Sequence, residues 1–380
     1  MGFPLHSYSL QGQKAGYSER YLRILRERLE ALSPNAPQLL TLNHLAITTD
    51  TPFEYLHSIV SRRRDPYRTF NMTKMSGGFR VITVPETLLM HIQRWIHKNI
   101  LSLQTLHHSS TAYAPRCTPY GNSAAHCGAK WLVKMDIVNF FESISEIQIF
   151  KYFKGLGYSP LLAFEFSRLC TKTHKCSRKY YKSKRWVANR KYKFYFNEHN
   201  LRSWHIGHLP QGAPTSPMLA NICCKNLDEE LYALAKNHGC CYTRYSDDIT
   251  FSSVDLGRER SKKIIKDASI VLARFGFLNN LRKTKIIPPG AKKIVTGLLV
   301  DTDKPRLTKE FKANLKNHLY YAGKFGVADH CLRVGFKSVI GFKNHIFGLI
   351  SYAESVDSEF GQRCLSLFKK IQWLDKYEPM

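Results

Sequence analysis

Three acidic side chains stand out in a chain that is otherwise short of them. Asp247 and Asp248 are adjacent in Tyr245-Ser246-Asp247-Asp248, between the strand-like runs Tyr242-Thr243-Arg244 and Ile249-Thr250-Phe251. Two carboxylates at a tight turn repel each other and lose solvation, so the pair is costly unless cations neutralise it. Hard divalent ions with oxygen ligands suit such a pair, and Mg²⁺ needs only one or two carboxylates beside substrate phosphates. A third carboxylate, Asp136, closes the apolar run Trp131-Leu132-Val133-Lys134-Met135-Asp136-Ile137. If the two strands lie side by side, Asp136 and Asp247 hold two ions about 4 Å apart, which supports in-line displacement at phosphorus. Of the adjacent acids, Asp247 is expected to be the direct ligand. An isolated Asp-Asp is more often a solvated turn, but here the pair sits inside a hairpin.

The second feature is Leu209-Pro210-Gln211-Gly212-Ala213-Pro214-Thr215-Ser216-Pro217. Three prolines fix φ, and Gly212 lets a backbone approach closely. Gln211 can read a polar edge there. A rigid loop that leads into a helix suits a templating surface. Alone it would pass for a Pro-rich loop. With the carboxylates it points to template-dependent nucleotidyl transfer.

Elements must position these groups. Residues 1–60 read as helices, broken at Pro34 and Pro37. Tyr67 to Val84 alternates like a hairpin, with Ser76-Gly77-Gly78 as its turn. Glu86 to Leu103 carries Leu88, Leu89, Ile92, Trp95, Ile96 and Ile100 on one helical face. Residues 131–137 form a buried strand, 218–237 a helix ending at Gly239, and 242–251 two short strands. Residues 259–275 are helical, and 286–299 hold one or two strands around Pro288-Pro289-Gly290. The last 75 residues are helical, basic and aromatic. No internal repeat is found. This order fits an α+β fold, since a doubly wound sheet needs regular βαβ alternation.

Composition narrows the partners. The 380 residues carry 57 Lys+Arg against 29 Asp+Glu, a net charge of +28. A plain enzyme for small neutral substrates is disfavoured; a polyanion is expected, nucleic acid first and an anionic membrane surface second. With 43% apolar residues and 47 aromatics, the chain can bury a core, and its length suggests two or three packed subdomains. Ten cysteines without a CxxC argue for a reducing compartment and against a disulfide framework or a zinc ribbon. No signal peptide, myristoylation signal or membrane-spanning apolar run is read, so a cytoplasmic protein is expected.

Taken together, the motifs resemble reverse transcriptases, and more narrowly bacterial retron reverse transcriptases, over about residues 65–300. Met135-Asp136-Ile137-Val138-Asn139-Phe140-Phe141 is similar to the first catalytic motif. The resemblance implies Asp136 as a metal ligand and Phe141 as the bulky residue that blocks a ribose 2′-OH. The 209–217 loop resembles the template and nucleotide motif, with Gln211 at the dNTP. Tyr245-Ser246-Asp247-Asp248 is similar to Tyr-x-Asp-Asp, with Ser246 where retrons usually carry Ala. Lys283 in Leu281-Arg282-Lys283-Thr284-Lys285 matches a palm lysine near the triphosphate, a candidate general acid. Lys74 and Arg80 resemble the residues that clamp the triphosphate. Asn122-Ser123-Ala124-Ala125-His126 resembles the retron Asn-Ala-x-x-His, with Ser123 replacing Ala. Val295-Thr296-Gly297 matches the retron Val-Thr-Gly that binds RNA stem-loops. Asn122, His126, Val295, Thr296 and Gly297 are therefore implied RNA-binding residues, although a lone His is more often a satisfied core residue.

The resemblance also implies a right-hand polymerase fold. Its expected parts are an N-terminal helical region (1–60), fingers (61–130), a palm (131–170 and 209–300) and a helical thumb (301–380). It implies two Mg²⁺ ions, with Mn²⁺ as a substitute. It implies dNTPs, a structured noncoding RNA, the branched msDNA product primed from a guanosine 2′-OH, and an effector protein in anti-phage defence. The setting would be the bacterial cytoplasm. The other readings are a group II intron or defence-associated reverse transcriptase, and an inactive RNA-binding scaffold. Residues 171–208 look like an insertion. They carry eleven Lys or Arg against one acid, Glu198, with eight interleaved aromatics. That pattern favours contact with RNA or msDNA over an effector contact or a merely solvated hairpin. A zinc site from His174, Cys176, His199, His205 and His208 matches no standard spacing.

Overall fold

The computed structural model describes residues 10, 12–34, 36–73, 78–115, 117–173 and 206–373. Lys74, Ser76, Gly77 and nearly all of the basic segment, residues 174–205, lie outside the described residues.

The fold is α+β. Helices α1 (Glu19–Glu30), α2 (Leu42–Thr48) and α3 (Phe53–Val60) lead into a hairpin of β1 (Tyr67–Thr73) and β2 (Phe79–Pro85). Ser18 and Thr41 cap the first two helices with their hydroxyls. The helix expected over Glu86–Leu103 is α4 (Thr87–Ile96) followed by a π-helical turn, His97–Leu101.

A central antiparallel sheet has the order β4 (Cys241–Tyr245), β5 (Asp248–Ser253), β3 (Trp131–Asp136), β6 (Lys285–Ile287). Strand β3 lies inside the sheet and is buried on both faces, which explains its continuous apolar run. Helices α6 (Glu146–Gly155), α7 (Pro160–Cys170), α8 (Ser216–Cys223), α9 (Lys225–Asn237) and α10 (Arg258–Arg274) share its apolar core. Helix α5 (Pro119–Ala124) precedes β3. The single helix expected over 218–237 is two helices, broken where Cys224 leaves helical geometry at ψ 2°. The main core joins Val133 and Met135 of β3, Ile249 and Phe251 of β5, Leu231 of α9 and Leu272 of α10 with the N-terminal helices.

A small sheet of β7 (Ile294–Val295), β8 (Leu298–Leu299) and β9 (Arg306–Leu307) follows. The stretch expected to hold one or two strands, 286–299, therefore reaches three strands of two sheets. The small sheet crosses the division expected at residue 300. Leu298 and Leu307 share a second core with α11 (Lys309–Phe325), α12 (Val327–Arg333), α13 (Val339–Val356) and α14 (Ser358–Lys370). Val295 and Val300 pack instead with Leu132 of β3 and Ile287 of β6, so the small sheet bridges the central sheet and the C-terminal helices. Among the described residues no helix is long and apolar enough to cross a membrane.

Candidate active site

The register of β3 on β5 assembles the carboxylates. Asp136 faces Asp248 across the strands, and the Ile137 amide donates to the Asp247 carbonyl at 3.0 Å. Ile137 and Asp247 thus make the hydrogen-bonded pair. Asp136 and Asp248 make the closer, non-hydrogen-bonded pair, with side chains on one face of the sheet. The turn between β4 and β5 is Ser246-Asp247, and Asp248 is already the first residue of β5. Ser246 takes φ 61° there.

The turn is held from behind. Arg244 is fully buried and binds Asp228 through Nε (2.7 Å) and Nη2 (2.6 Å). Its Nη1 donates to the Ser246 carbonyl at 3.1 Å and to Asn221 Oδ1 at 3.0 Å. Tyr242 donates to Asp228 Oδ1 at 2.8 Å. This satisfied buried network fixes the backbone that carries Asp247.

The electrostatics ask for a cation. Burial, then the neighbouring Asp248, pushes the Asp247 carboxyl above its ordinary range. Burial raises Asp248 as well, with Lys134 acting against it and Asp136 adding to it. Glu142 is raised by burial and further by Asp247. Asp136 is held by Lys283 Nζ at 2.7 Å and Asn280 Nδ2 at 3.0 Å. The hydrogen bond to Asp136 raises Lys283, keeping it charged. Among the described residues no three His, Cys, Asp or Glu side chains converge into a closed metal cluster. The donor set still fits a hard divalent ion. It offers only carboxylate oxygens, it is crowded with like charge, and it already draws an ammonium to its inner member.

The loop expected at the nucleotide touches the β1–β2 hairpin. Thr83 donates its amide to the Gln211 carbonyl at 2.7 Å. Gly212 has φ 121°, and a Cβ there would stand 2.9 Å from the Thr83 carbonyl. Only glycine fits this approach. Phe141 is half-buried beside Phe140, their ring centroids 5.4 Å apart. Arg80 lies exposed on β2, opposite Met72.

The residues expected to bind RNA form one unit. Ser123 Oγ donates to the Val295 carbonyl at 2.7 Å and lies 2.7 Å from Thr296 Oγ1. Asn122 Nδ2 donates to Thr296 Oγ1 at 3.4 Å, and Thr296 Oγ1 donates to the Pro119 carbonyl at 2.9 Å. Thr296 (φ 43°) and Gly297 (φ 86°) form the two-residue turn between β7 and β8. That geometry normally takes Asn-Gly, and a β-branched residue is strained in it. The hydroxyl bonds to the 119–123 helix offset the strain. Gly297 is exposed, whereas Asn122 and Val295 are buried.

His126 is buried, with Nδ1 2.7 Å from Ser252 Oγ and Nε2 2.7 Å from Thr243 Oγ1. Burial, helped by Lys134, lowers its pKa from the ordinary 6.5 to about 4. Its contribution to stability is present above the ordinary pKa and is lost as pH falls toward the folded value. His126→Gln is expected to flatten the dependence of melting temperature on pH between 6.5 and about 4. Identical acid slopes for variant and wild type would contradict this.

Sequence reasoning missed Arg244, Asn280, Glu142 and Tyr113. Arg244 adjoins the acidic motif and Asn280 stands three residues before Lys283, so proximity was the available signal. Glu142 directly follows Phe141, so it carried the same signal, whereas Tyr113 gave none.

The family model for reverse transcriptase (RNA-dependent DNA polymerase) matches residues 72–296, more than half of the chain. With its carboxylates on one end of an antiparallel sheet, the chain belongs to the reverse transcriptase family and is an RNA-directed DNA polymerase. Curated relatives narrow the class to retron reverse transcriptases. The Retron Ec86 reverse transcriptase of Escherichia coli is 26% identical over 362 residues, 93% of this chain and 95% of the relative. The Retron Mx65 reverse transcriptase of Myxococcus xanthus is 27% identical over 315 residues, 81% of this chain and 66% of the relative. The Retron Mx162 reverse transcriptase of the same organism is 29% identical over 243 residues, 62% of this chain and 47% of the relative.

Proposed function

We propose that this polymerase copies part of its own structured noncoding RNA, starts from the 2′-OH of a guanosine in that RNA, and leaves branched RNA–DNA. The observation that carries the reading is the hydrogen-bonded union of residues 122–123 with Val295-Thr296, beside the strands that end in the carboxylates. A stem-loop held at the exposed Gly297 turn is then anchored to the reaction centre through the palm. His126 acts on RNA only through the strands it braces.

Asp136, Asp247 and Asp248 would hold Mg²⁺, with Mn²⁺ as a substitute. Bound there, a pair of ions supplies charge stabilisation to the attacking and leaving oxygens. The hydroxyl oxygen attacks the α-phosphorus, its proton leaves to solvent, and the bond to pyrophosphate breaks. Lys283, kept protonated by Asp136, gives its proton to the leaving pyrophosphate. Gln211 and Phe141 hold the dNTP at the base and sugar. Arg80 and Lys74, the latter outside the described residues, clamp its phosphates. The parts correspond to fingers, palm and thumb. The setting is the bacterial cytoplasm, where enzyme, msDNA and an effector protein would act in anti-phage defence.

The test is co-expression with the structured RNA encoded beside it, followed by extraction of RNA-linked single-stranded DNA. Product from wild type and none from Asp247→Ala supports the reading. No product from either, with the RNA present, overturns it.

The base of the basic segment is clamped. Lys172 and His208 exchange backbone bonds at 3.0 and 2.9 Å, and Glu146 takes the Gly207 amide at 2.8 Å and Arg168 Nε at 2.9 Å. Deleting residues 175–205 should therefore leave the fold. The variant is expected to bind RNA with a shallower dependence on log salt, because each lost phosphate contact removes just under one unit of slope. An unchanged slope would favour an effector contact or a merely solvated hairpin over contact with RNA.

A further inference from the structure

We propose that Tyr113 is a positioning residue for the sugar of the incoming nucleotide, acting through Phe141; this rests on the reading of Phe141 as the group that blocks a 2′-OH. The segment that carries Tyr113 is stitched to the edge of the palm. The Arg244 amide donates to the Ser109 carbonyl at 2.8 Å, and Thr111 N and Oγ1 donate to the Arg244 carbonyl at 2.9 and 3.1 Å. Asn221 Nδ2 donates to the Ala112 carbonyl at 2.7 Å. The next residue is thereby delivered beside the catalytic turn.

Tyr113 takes φ 63°, a left-handed conformation that aromatic residues rarely adopt. Its hydroxyl donates to Ser246 Oγ at 3.1 Å, and Ser246 is itself at φ 61°. Two residues in sparsely populated backbone conformations, joined by a hydrogen bond at the turn that carries Asp247, mark a constrained functional element. Ser246 is also the position at which the Tyr-x-Asp-Asp motif departs from the usual Ala, so the acceptor belongs to this chain.

The ring of Tyr113 lies 6.5 Å from Phe141, tilted by 49°, and 6.4 Å from Tyr245, tilted by 40°. Both distances are within the range of favourable aromatic contact. Yet Tyr113 remains 46% exposed. An aromatic residue that served only the core would be covered. Tyr113 instead forms an open wall behind Phe141. Phe141 has its other aromatic neighbour, Phe140, on the core side. Tyr113 therefore limits how far the Phe141 ring can turn away from a sugar.

The experiment uses the full chain on a primed poly(rA) template and compares kcat/KM for dTTP with that for UTP. Tyr113→Ala is expected to reduce the preference for dTTP about 3- to 10-fold, the worth of one aromatic contact. Tyr113→Phe and Ser246→Ala keep the ring but lose the hydrogen bond, and are expected to reduce it about twofold. Phe141→Ala is the control and should relax the preference most. If Phe141→Ala relaxes it and Tyr113→Ala does not, the inference is wrong while the reading of Phe141 stands. If Phe141→Ala leaves the preference unchanged, that reading fails and the inference with it. Should Tyr113→Ala not fold, Tyr113→Leu fills the space without the ring and reads the same ratio.

Discussion

Replacing Asp247 by Asn is expected to stop nucleotide incorporation without harming the fold. The expected loss is about a thousandfold or more, roughly 4 kcal/mol of transition-state stabilisation. The two changes have opposite signs because the carboxylate is expensive where it stands. Burial and Asp248 raise its pKa, so in the absence of a bound cation the folded state resists its ionisation. For an acid raised in the folded state, stability falls as pH climbs from the unfolded pKa through the folded one. Asn has nearly the same shape and no charge. Asp247→Asn should therefore melt at or above the temperature of wild type at neutral pH without added metal. Adding Mg²⁺ should stabilise wild type more than the variant, since ligands that bind only the folded state raise its melting temperature. A variant that keeps a tenth of wild-type incorporation, or melts well below it, would rule Asp247 out as a metal ligand held at a cost in stability. Such a cost, accepted for activity, is a common pattern at functional sites.

The second expected result concerns Arg244, which touches no substrate. Arg244→Met leaves Asp228 buried without its partner, a change that typically costs about 3–5 kcal/mol. It also releases the Ser246 carbonyl from its 3.1 Å hydrogen bond. Both melting temperature and incorporation should fall. The double variant Arg244→Met with Asp228→Leu separates the effects, because replacing a whole buried pair by apolar groups is often nearly neutral. Its melting temperature should recover most of the loss. Incorporation should stay low, because the turn has still lost its tether. If recovery of stability restored incorporation fully, Arg244 would be a matter of folding alone. Thermal melting read beside primer extension decides between them.

Much of the site was legible because its residues are contiguous and chemically conspicuous. Asp247-Asp248 in a basic chain announces a cation, and Leu209–Pro217 announces a rigid loop, whatever surrounds them. Gly212 marks a point of close approach in the sequence, and the backbone it approaches is that of Thr83. Less legible were breaks within long helical patterns. Residues 218–237 read as one helix, yet the chain breaks at Cys224, where ψ is 2°, because tertiary context overrides local preference. The small sheet was missed as a unit because two-residue strands are too short to show alternation.

Residue types and their order along the chain carry the expectation of the chemistry: three conspicuous acids in a chain of net charge +28, with a polyanion as the expected partner. Residue type encodes that, and neighbours in sequence carry it. What those acids meet is set by the folding of distant segments onto one another. Lys283 reaches Asp136 across 147 residues, Asn122 reaches Thr296 across 174, and Tyr113 reaches Ser246 across 133. Each meeting depends on the antiparallel register of β3, β5 and β6, or on loops closed by backbone bonds far from either partner. A shift of one residue in that register would turn every side chain to the other face of the sheet. No local pattern records such a choice, because it is made by burying one face of the whole sheet at once.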